Sequence, residues 1–312
     1  MSTVLIAGGS GLIGKHLSQK LIAKGFKVSI LSRNPLKLPN IKTYHWDMKK
    51  KLLDERSIEE AEFIINLSGE NIGDKRWSAE RKKLIIDSRI GSTLLIFDKV
   101  KERKIKPRAF ISASAVGYYG TITSNKTFTE SDPAGNDFLA ETCKEWEQAA
   151  DKFKELHIRT VKLRTGVVLT KHGGALSRMT TPVTMGLGSA LGSGKQYLPW
   201  IHIDDLCEIY IKAIEDINME GAYNAVAPEQ VTNREFTRTL AVALAKPFWL
   251  PNVPAPFLKL LFGEMADILL KGSRISSDKI TTDGFVFRFA FLKEALNELL
   301  PKESNLTSHL LK

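Results

Sequence analysis

Two stretches carry residues able to do chemistry. In "GGSGLIG", Gly8, Gly11 and Gly14 stand three residues apart, a spacing that lets a backbone turn tightly and approach a pyrophosphate closely. The N–H groups and positive end of a helix opening there would meet the anion. The second stretch, "FISASAVGYYG" from Phe110 to Gly120, runs from an apolar strand into Ser114, Tyr118 and Tyr119. These offer a hydroxyl to polarise a substrate oxygen and phenols to exchange a proton.

The glycine turn stands in the context that such a motif requires. It follows a strand-like run, Thr3 to Ala7, opens a helical segment that stops near Gly25, and precedes a second strand, "KVSILS". At the end of that strand, where an acid would hold a ribose 2′-hydroxyl, the chain reads "ILSRNPLK". Ser32 and Arg33 take the acid's place and Lys37 lies one turn further on. An arginine fork can chelate a 2′-phosphate, so NADP(H) is the expected cofactor; the plainer reading of Arg33 is a solvated loop residue.

Strand and helix patterns alternate around these stretches: "KTYHW", "EFIINLS", a long helical pattern from Ala79 to Glu102, "RAFISAS", the helical "FLAETCKEWEQAADKFKELH", then the strand "RTVKLRTGVVL". Alternation on this scale predicts right-handed βαβ units and a parallel sheet covered on both faces. The expected fold is α/β, a Rossmann-type doubly wound sheet over residues 1–170. A smaller substrate-side and C-terminal region, 171–312, is expected to be integrated with it.

With 43% hydrophobic and 26% charged residues, the 312-residue chain can bury a full core. Cys143 and Cys207 stand in helical patterns without ligand spacing, which argues against a structural zinc site or a disulfide framework. The apolar stretch Ala255 to Leu270 is interrupted by Lys259, Glu264 and Asp267, so an amphipathic helix is expected there and not a bilayer span. The first strand begins beside Met1, leaving no room for a signal peptide, and a cytoplasmic location is expected. The net charge of +10 is spread over short lysine runs without an aromatic-plus-basic strand motif. That pattern speaks against nucleic acid and suits an anionic cofactor or small-molecule substrate.

The motifs "GGSGLIG", "LSRNP", "NLSGENI", Arg76–Trp77, "DSRIGST", "SAVGYYG", "RTGVVL", "GSGKQYLPWIHIDDL" and "ISSDKITTDGFVF" together resemble a known family. They are similar to the atypical and extended short-chain dehydrogenases/reductases, within them the NAD(P)-dependent epimerase proteins that carry a small C-terminal module. The resemblance covers nearly the whole chain. It implies a pyrophosphate held by Gly8, Gly9, Ser10, Gly11, Leu12, Ile13 and Gly14, and an adenosine ribose phosphate held by Ser32 and Arg33. Leu67, Ser68, Arg89 and Val168 are further cofactor-contact positions on the same grounds. It also implies oxidoreductase or epimerase chemistry on a small carbonyl or nucleotide-sugar-like substrate.

One departure stands out. Such reductases pair a serine at the strand end with a Tyr-x-x-x-Lys on the following helix. Ser114 falls at the serine position, but aligning the family's trailing glutamate with Glu147 puts Leu139 and Cys143 where tyrosine and lysine belong. A shift by one gives Ala140 and Lys144, so no register restores the pair. The proton then falls first to Tyr119, with Ser114 orienting the substrate oxygen; its neighbour Tyr118, or Glu70 acting as a base, is the alternative. Otherwise the protein is a non-enzymatic NADP(H)-binding sensor or scaffold. His202 reads as a satisfied structural histidine, Asp204 or Asp205 as the cap of the next helix, and Trp46, Trp77, Trp146 and Trp200 as core or cleft walls. His172 lies in a loop where family substrates approach.

Overall fold

Apolar runs bounded by turn residues become strands, and the longer periodic stretches between them become helices. The computed structural model describes residues 1–34 and 39–300, so Lys37 lies outside the described residues. In order the chain forms β1 (Thr3–Ala7), α1 (Leu12–Ala23), β2 (Lys27–Ser32), β3 (Ile41–Asp47), β4 (Leu52–Leu53), α2 (Arg56–Glu59), β5 (Phe63–Asn66), α3 (Ala79–Ile86) and α4 (Ser92–Glu102). Next come β6 (Ala109–Ala115), β7 (Thr127–Phe128), α5 (Phe138–Asp151), β8 (Arg159–Thr165), β9 (Val167–Leu169), α6 (Gly174–Thr184) and β10 (Trp200–His202). The remainder is α7 (Ile203–Glu215), β11 (Gly221–Ala225), α8 (Asn233–Ala243), α9 (Ala255–Phe262), α10 (Asp267–Leu270), β12 (Arg274–Ile275), α11 (Asp278–Thr282) and α12 (Leu292–Leu299).

The chain divides into two compact units. The first comprises Met1–Thr121, Thr129–Thr165 and Leu206–Ala225, the second Ile122–Phe128, Gly166–Asp205 and Val226–Lys312. The units are interleaved along the sequence, whereas the motifs suggested a single boundary at residue 170.

In the first unit the strands lie in the order β11-β8-β6-β5-β1-β2-β3-β4, parallel throughout except for the antiparallel β3–β4 pair. Strand order reverses at β1, which is where an open α/β sheet leaves a crevice at its carboxyl edge. The central strands β1 and β5 are buried on both faces. Leu5, Leu31, Ile64 and Phe110 pack in one core with Leu95, Ile96 and Val100 of α4 and with Phe153, whose ring stacks on Phe110 at 3.7 Å. Leu17 and Leu21 of α1 are fully buried as well.

In the second unit β9 pairs with β10 and β7 with β12, both in parallel. Its core joins Trp200 to Phe236 and Leu240 of α8 and to Leu292 and Leu296 of α12.

Three elements differ from their sequence patterns, each for a local reason. The helix expected from Ala79 to Glu102 is interrupted by a π-helical turn, Asp87–Gly91. Such bulges insert a residue into the helical ladder; here Ser92 and Thr93 donate their hydroxyl hydrogens back to the Arg89 carbonyl at 2.8 and 2.9 Å. The strand "RTVKLRTGVVL" breaks at Gly166, where a Cβ would stand 2.7 Å from the Pro199 carbonyl oxygen, so β9 pairs with β10 instead of continuing the large sheet. The apolar Ala255–Leu270 stretch breaks at Gly263, whose φ of +60° ends α9. Among the described residues no helix is long and apolar enough to cross a membrane.

Candidate nucleotide and catalytic site

The glycine turn is built by close approach of backbone to backbone. Gly8 leaves β1 with φ +78°, and a Cβ there would lie 2.8 Å from the Leu67 carbonyl carbon at the end of β5. A Cβ on Gly9 would meet Ile30 Cγ2 at 2.3 Å, and one on Gly14 would meet the Gly8 oxygen at 2.5 Å and Gly9 Cα at 2.6 Å. Gly11 opens α1 without a side-chain cap, and the first turn holds no acidic residue. Ser10, Gly11 and Leu12 are exposed and Ile13 is half-buried. A shallow cradle results, facing solvent at the positive end of a helix, which favours an anion.

Beside the cradle, Ser68 is buried and its hydroxyl has no hydrogen-bond partner among the described residues. Leaving such a group unpaired costs about 1–3 kcal/mol, so a ligand hydrogen bond would relieve it. Its N–H donates to Asn66 Oδ1 at 3.0 Å, and Asn66 Nδ2 donates to Thr93 Oγ1 at 2.9 Å, which fastens the end of β5 to α4. At the end of β2 the Ser32 hydroxyl donates to the Asn34 carbonyl at 2.7 Å, while Arg33 is exposed.

Arg89 and Val168 stand differently from the cradle residues. The π-turn directs Arg89 back onto its own unit: Nη1 donates to the Ile85 carbonyl at 3.0 Å and Nη2 to the Glu70 carbonyl at 3.1 Å. Burial holds its pKa below the ordinary value. A Cβ on Gly69 would come within 3.1 Å of Arg89 Cζ, so the guanidinium packs closely over that glycine. Val168 is half-buried on β9, within the second unit. Glu70 is paired with Arg81 Nη1 at 3.1 Å, which occupies the carboxylate considered above as a base.

The helix carrying the departed dyad keeps the expected register. A Cβ on Gly117 would touch Leu139 Cβ at 3.4 Å and Cys143 Sγ at 3.8 Å, so both residues face the turn after β6. Burial pushes the Cys143 thiol up to about 12, with nearby Arg89 opposing the shift. A neutral buried thiol cannot supply the cation that a lysine would.

Ser114 and Tyr119 are brought together, in a sealed polar network. The Ser114 hydroxyl donates to Glu147 Oε1 at 2.7 Å. Arg164 grips the same carboxylate bidentately, Nε to Oε1 at 2.8 Å and Nη2 to Oε2 at 2.9 Å, and its Nη1 donates to the Tyr119 hydroxyl at 2.9 Å. Tyr119 in turn donates to Asn224 Oδ1 at 2.7 Å, and the Asn224 N–H donates to Glu130 Oε1 at 2.8 Å. Tyr119 is 2% and Ser114 4% exposed, and burial pushes the Tyr119 phenol up to about 12. The geometry therefore does not offer Tyr119 as the proton exchanger, nor the Ser114 hydroxyl to a substrate oxygen. Tyr118 is the half-buried tyrosine, its ring centre 3.5 Å from the Arg164 guanidinium carbon.

Arg164 and Asn224 are functional neighbours that the motif reading passed over. The available signal was Lys162 and Arg164 on either side of Leu163 in a strand of a covered parallel sheet, since a buried cation demands a buried partner.

His202 is buried as expected. Its Nδ1 accepts the Asp204 N–H at 3.1 Å and its Nε2 lies 3.0 Å from Glu298 Oε2, which together favour the Nε2–H tautomer. The imidazole thus caps α7, the role the sequence had suggested for an aspartate. Asp205 accepts instead from the backbone N–H groups of Arg288 and Phe289, each at 2.9 Å.

A glycine turn at the reversal point of a parallel sheet, opening a bare helix N-terminus, defines a Rossmann-type nucleotide-binding protein. The chain belongs to the NAD dependent epimerase/dehydratase family, whose profile matches residues 4–226; a domain of unknown function, DUF1731, matches 253–299. It is 36% identical over 300 residues to the epimerase family protein YfhF of Bacillus subtilis, covering 95% of this chain and 97% of that one. The crystal structure of human epimerase family protein SDR39U1 (isoform 2) with NADPH superposes with a TM-score of 0.83 at 33% identity, covering 95% of this chain and 98% of that one. The Thermus thermophilus UDP-glucose 4-epimerase, solved with NAD, shares the fold at a TM-score of 0.74 and 20% identity, covering 95% and 97%.

Proposed function

We propose that this protein binds NADP(H) and works as an oxidoreductase or epimerase-like enzyme on a small carbonyl or nucleotide-sugar-like substrate. The observation that carries the cofactor reading is the Gly8–Gly14 cradle, where a Cβ at Gly8, Gly9 or Gly14 would collide, set beside the unpartnered Ser68 hydroxyl. The human relative solved with NADPH supports the same cofactor. The backbone of Gly8–Gly14 would hold the pyrophosphate and the Ser68 hydroxyl would donate to the bound cofactor. Arg33, exposed at a strand end that lacks an acid, would take the 2′-phosphate. Arg33→Glu is expected to reverse the preference for NADPH over NADH by about tenfold or more. Unchanged relative affinities in a fluorescence titration would defeat this assignment.

When bound, the nicotinamide supplies or accepts the hydride. The chain's own contribution is to move the proton and hold the geometry. Tyr118 carries that proton, because Tyr119 and Ser114 are committed to the Glu147–Arg164 pair and serve to position the segment. Tyr118→Phe should lower turnover about 100-fold or more. Tyr119→Phe should retain most of the activity and cost about 1–3 kcal/mol of stability, because Asn224 Oδ1 and Arg164 Nη1 each lose a buried partner. A reversed pattern in steady-state rates would restore Tyr119 as the proton carrier.

Leu139 and Cys143 against the Gly117 turn favour a second reading, a binder that senses NADPH without turnover. Incubation with NADPH and a panel of carbonyls and nucleotide sugars separates the two. Substrate-dependent loss of absorbance identifies an enzyme, and tight binding without turnover across the panel identifies the sensor.

A further inference from the structure

A solvent-open cavity of about 430 Å³ lies within the second unit, lined by Thr123, Ser124, Asn125, Lys195, Tyr197 and Thr232. None of the six carries a carboxylate. The volume suits a small metabolite.

The walls are tied to one another by the backbone. Tyr197 bridges to Thr232, its N–H donates to the Gly272 carbonyl at 3.1 Å, and the Gly272 N–H donates to Thr123 Oγ1 at 3.3 Å. A Cβ on Gly272 would stand 2.1 Å from the Tyr197 oxygen, so glycine is required for this approach. Ser273 Oγ donates to the Ile122 carbonyl at 2.7 Å and fixes the start of the Thr123–Asn125 segment.

Three of the hydroxyl oxygens each accept one hydrogen bond from the protein. Thr123 Oγ1 receives the Gly272 N–H, Ser124 Oγ receives the Lys126 N–H at 3.3 Å, and the Tyr197 oxygen receives Arg274 Nη2. Each also carries an O–H that can donate to a ligand. The Asn125 amide and the exposed Lys195 ammonium add donors, and the Arg274 guanidinium, 4.6 Å from the Tyr197 ring centre, adds a second positive charge behind the wall. Arg274 Nε is buried without a hydrogen-bond partner among the described residues. Thr232 differs from the other hydroxyls. It caps α8, and Glu235 Oε2 accepts from its N–H at 2.7 Å and its Oγ1 at 2.8 Å, so this carboxylate is spent on the helix end.

A cavity lined by hydroxyls, an amide and an exposed ammonium, with a guanidinium against the Tyr197 ring, matches an oxyanion with several terminal oxygens. We propose that it binds a phosphomonoester of a small organic molecule, at a site separate from the dinucleotide cradle of the first unit.

The test is calorimetric titration of inorganic phosphate and glycerol 3-phosphate into the full chain, with succinate as a carboxylate control, in the absence and presence of saturating NADPH. Saturable binding of the two phosphates in both conditions is expected, with affinity weakened about tenfold in Lys195→Ala and in Tyr197→Phe. Lys195 is exposed, so its variant should keep the wild-type melting temperature, and Arg33→Glu should bind the phosphates normally. The proposal is overturned by absence of saturable binding, by equal or tighter binding of succinate, or by unchanged affinity in both cavity variants. Loss of phosphate binding in Arg33→Glu, or its competition by NADPH, would also overturn it by placing the phosphate at the dinucleotide cradle. Because the cavity lies wholly in the second unit, failure of NADPH to bind at all would count against the function proposed above and leave this result readable.

Discussion

Gly14→Ala is expected to weaken NADPH binding about 100-fold, equivalent to about 2.8 kcal/mol. The added methyl would sit 2.5 Å from the Gly8 carbonyl oxygen and 2.6 Å from Gly9 Cα, both backbone atoms that no side-chain rotation can move aside. Relief requires α1 to retreat from the turn. That widens the cradle and takes the helix N-terminus away from the pyrophosphate position, where the attraction falls off within one turn. The same substitution should lower global stability by about 1–3 kcal/mol through local strain. Gly25→Ala provides the contrast. It has φ +87° with nothing within 4 Å of an added Cβ, so backbone strain of about 1 kcal/mol is its whole effect and NADPH affinity should stay at the wild-type value. Titration and thermal melting of the two variants side by side decide the matter. A Gly14→Ala protein that binds NADPH normally would remove the cradle from the cofactor site.

Breaking the Arg164–Glu147 pair should have the largest effect on stability. Arg164→Met leaves the Glu147 carboxylate buried, with its side chain 6% exposed and only the Ser114 hydroxyl and Lys162 Nζ, 3.9 Å away, as partners. Removing one member of a buried pair typically costs about 3–5 kcal/mol, because the desolvation of the other charge is no longer offset. Although burial alone would lower the Arg164 pKa, the hydrogen bonds and attraction of Glu147 raise it above its usual value, so the cation is present at every accessible pH. The pair therefore has no titration window on the arginine side. The double variant Glu147→Leu with Arg164→Met removes both charges and should destabilise by less than the sum of the single changes. Chemical denaturation of the four proteins measures this coupling. Additive losses would mean that the two residues do not act as a pair. The single variant should also loosen Tyr118, whose ring rests on the guanidinium, so turnover is expected to fall even at temperatures where the protein remains folded.

The glycine turn was legible because its parts are neighbours in sequence: strand, Gly8 to Gly14, helix, and a second strand ending at Ser32 and Arg33. Hydrogen bonding and steric limits within a few residues dictate that pattern wherever it occurs. The alternation of apolar runs and helical periods likewise indicated the parallel sheet, and aligning Glu147 put Leu139 and Cys143 at the tyrosine and lysine positions; that both face the turn after β6 came from the structure. Three continuous patterns were nonetheless cut, at Asp87–Gly91, Gly166 and Gly263. A periodic run of side chains does not reveal which backbone will press against one of its glycines or insert a π-turn.

The choice between Tyr118 and Tyr119 shows the limit most clearly. In sequence the two phenols are neighbours beside a glycine, and the residue order pointed to Tyr119. Tyr119 becomes the committed one because Asn224, 105 residues away, and Arg164, 45 residues away, reach its hydroxyl, while Tyr118 lies across the face of the same guanidinium. The sequence by itself determined the nucleotide-binding turn, the fold class and the loss of the tyrosine–lysine dyad, since these depend on residue identity at short spacing. Which hydroxyls are sealed into the core and which remain half-open was decided only by tertiary structure, because burial and charge pairing depend on residues that meet only after the sheet has closed.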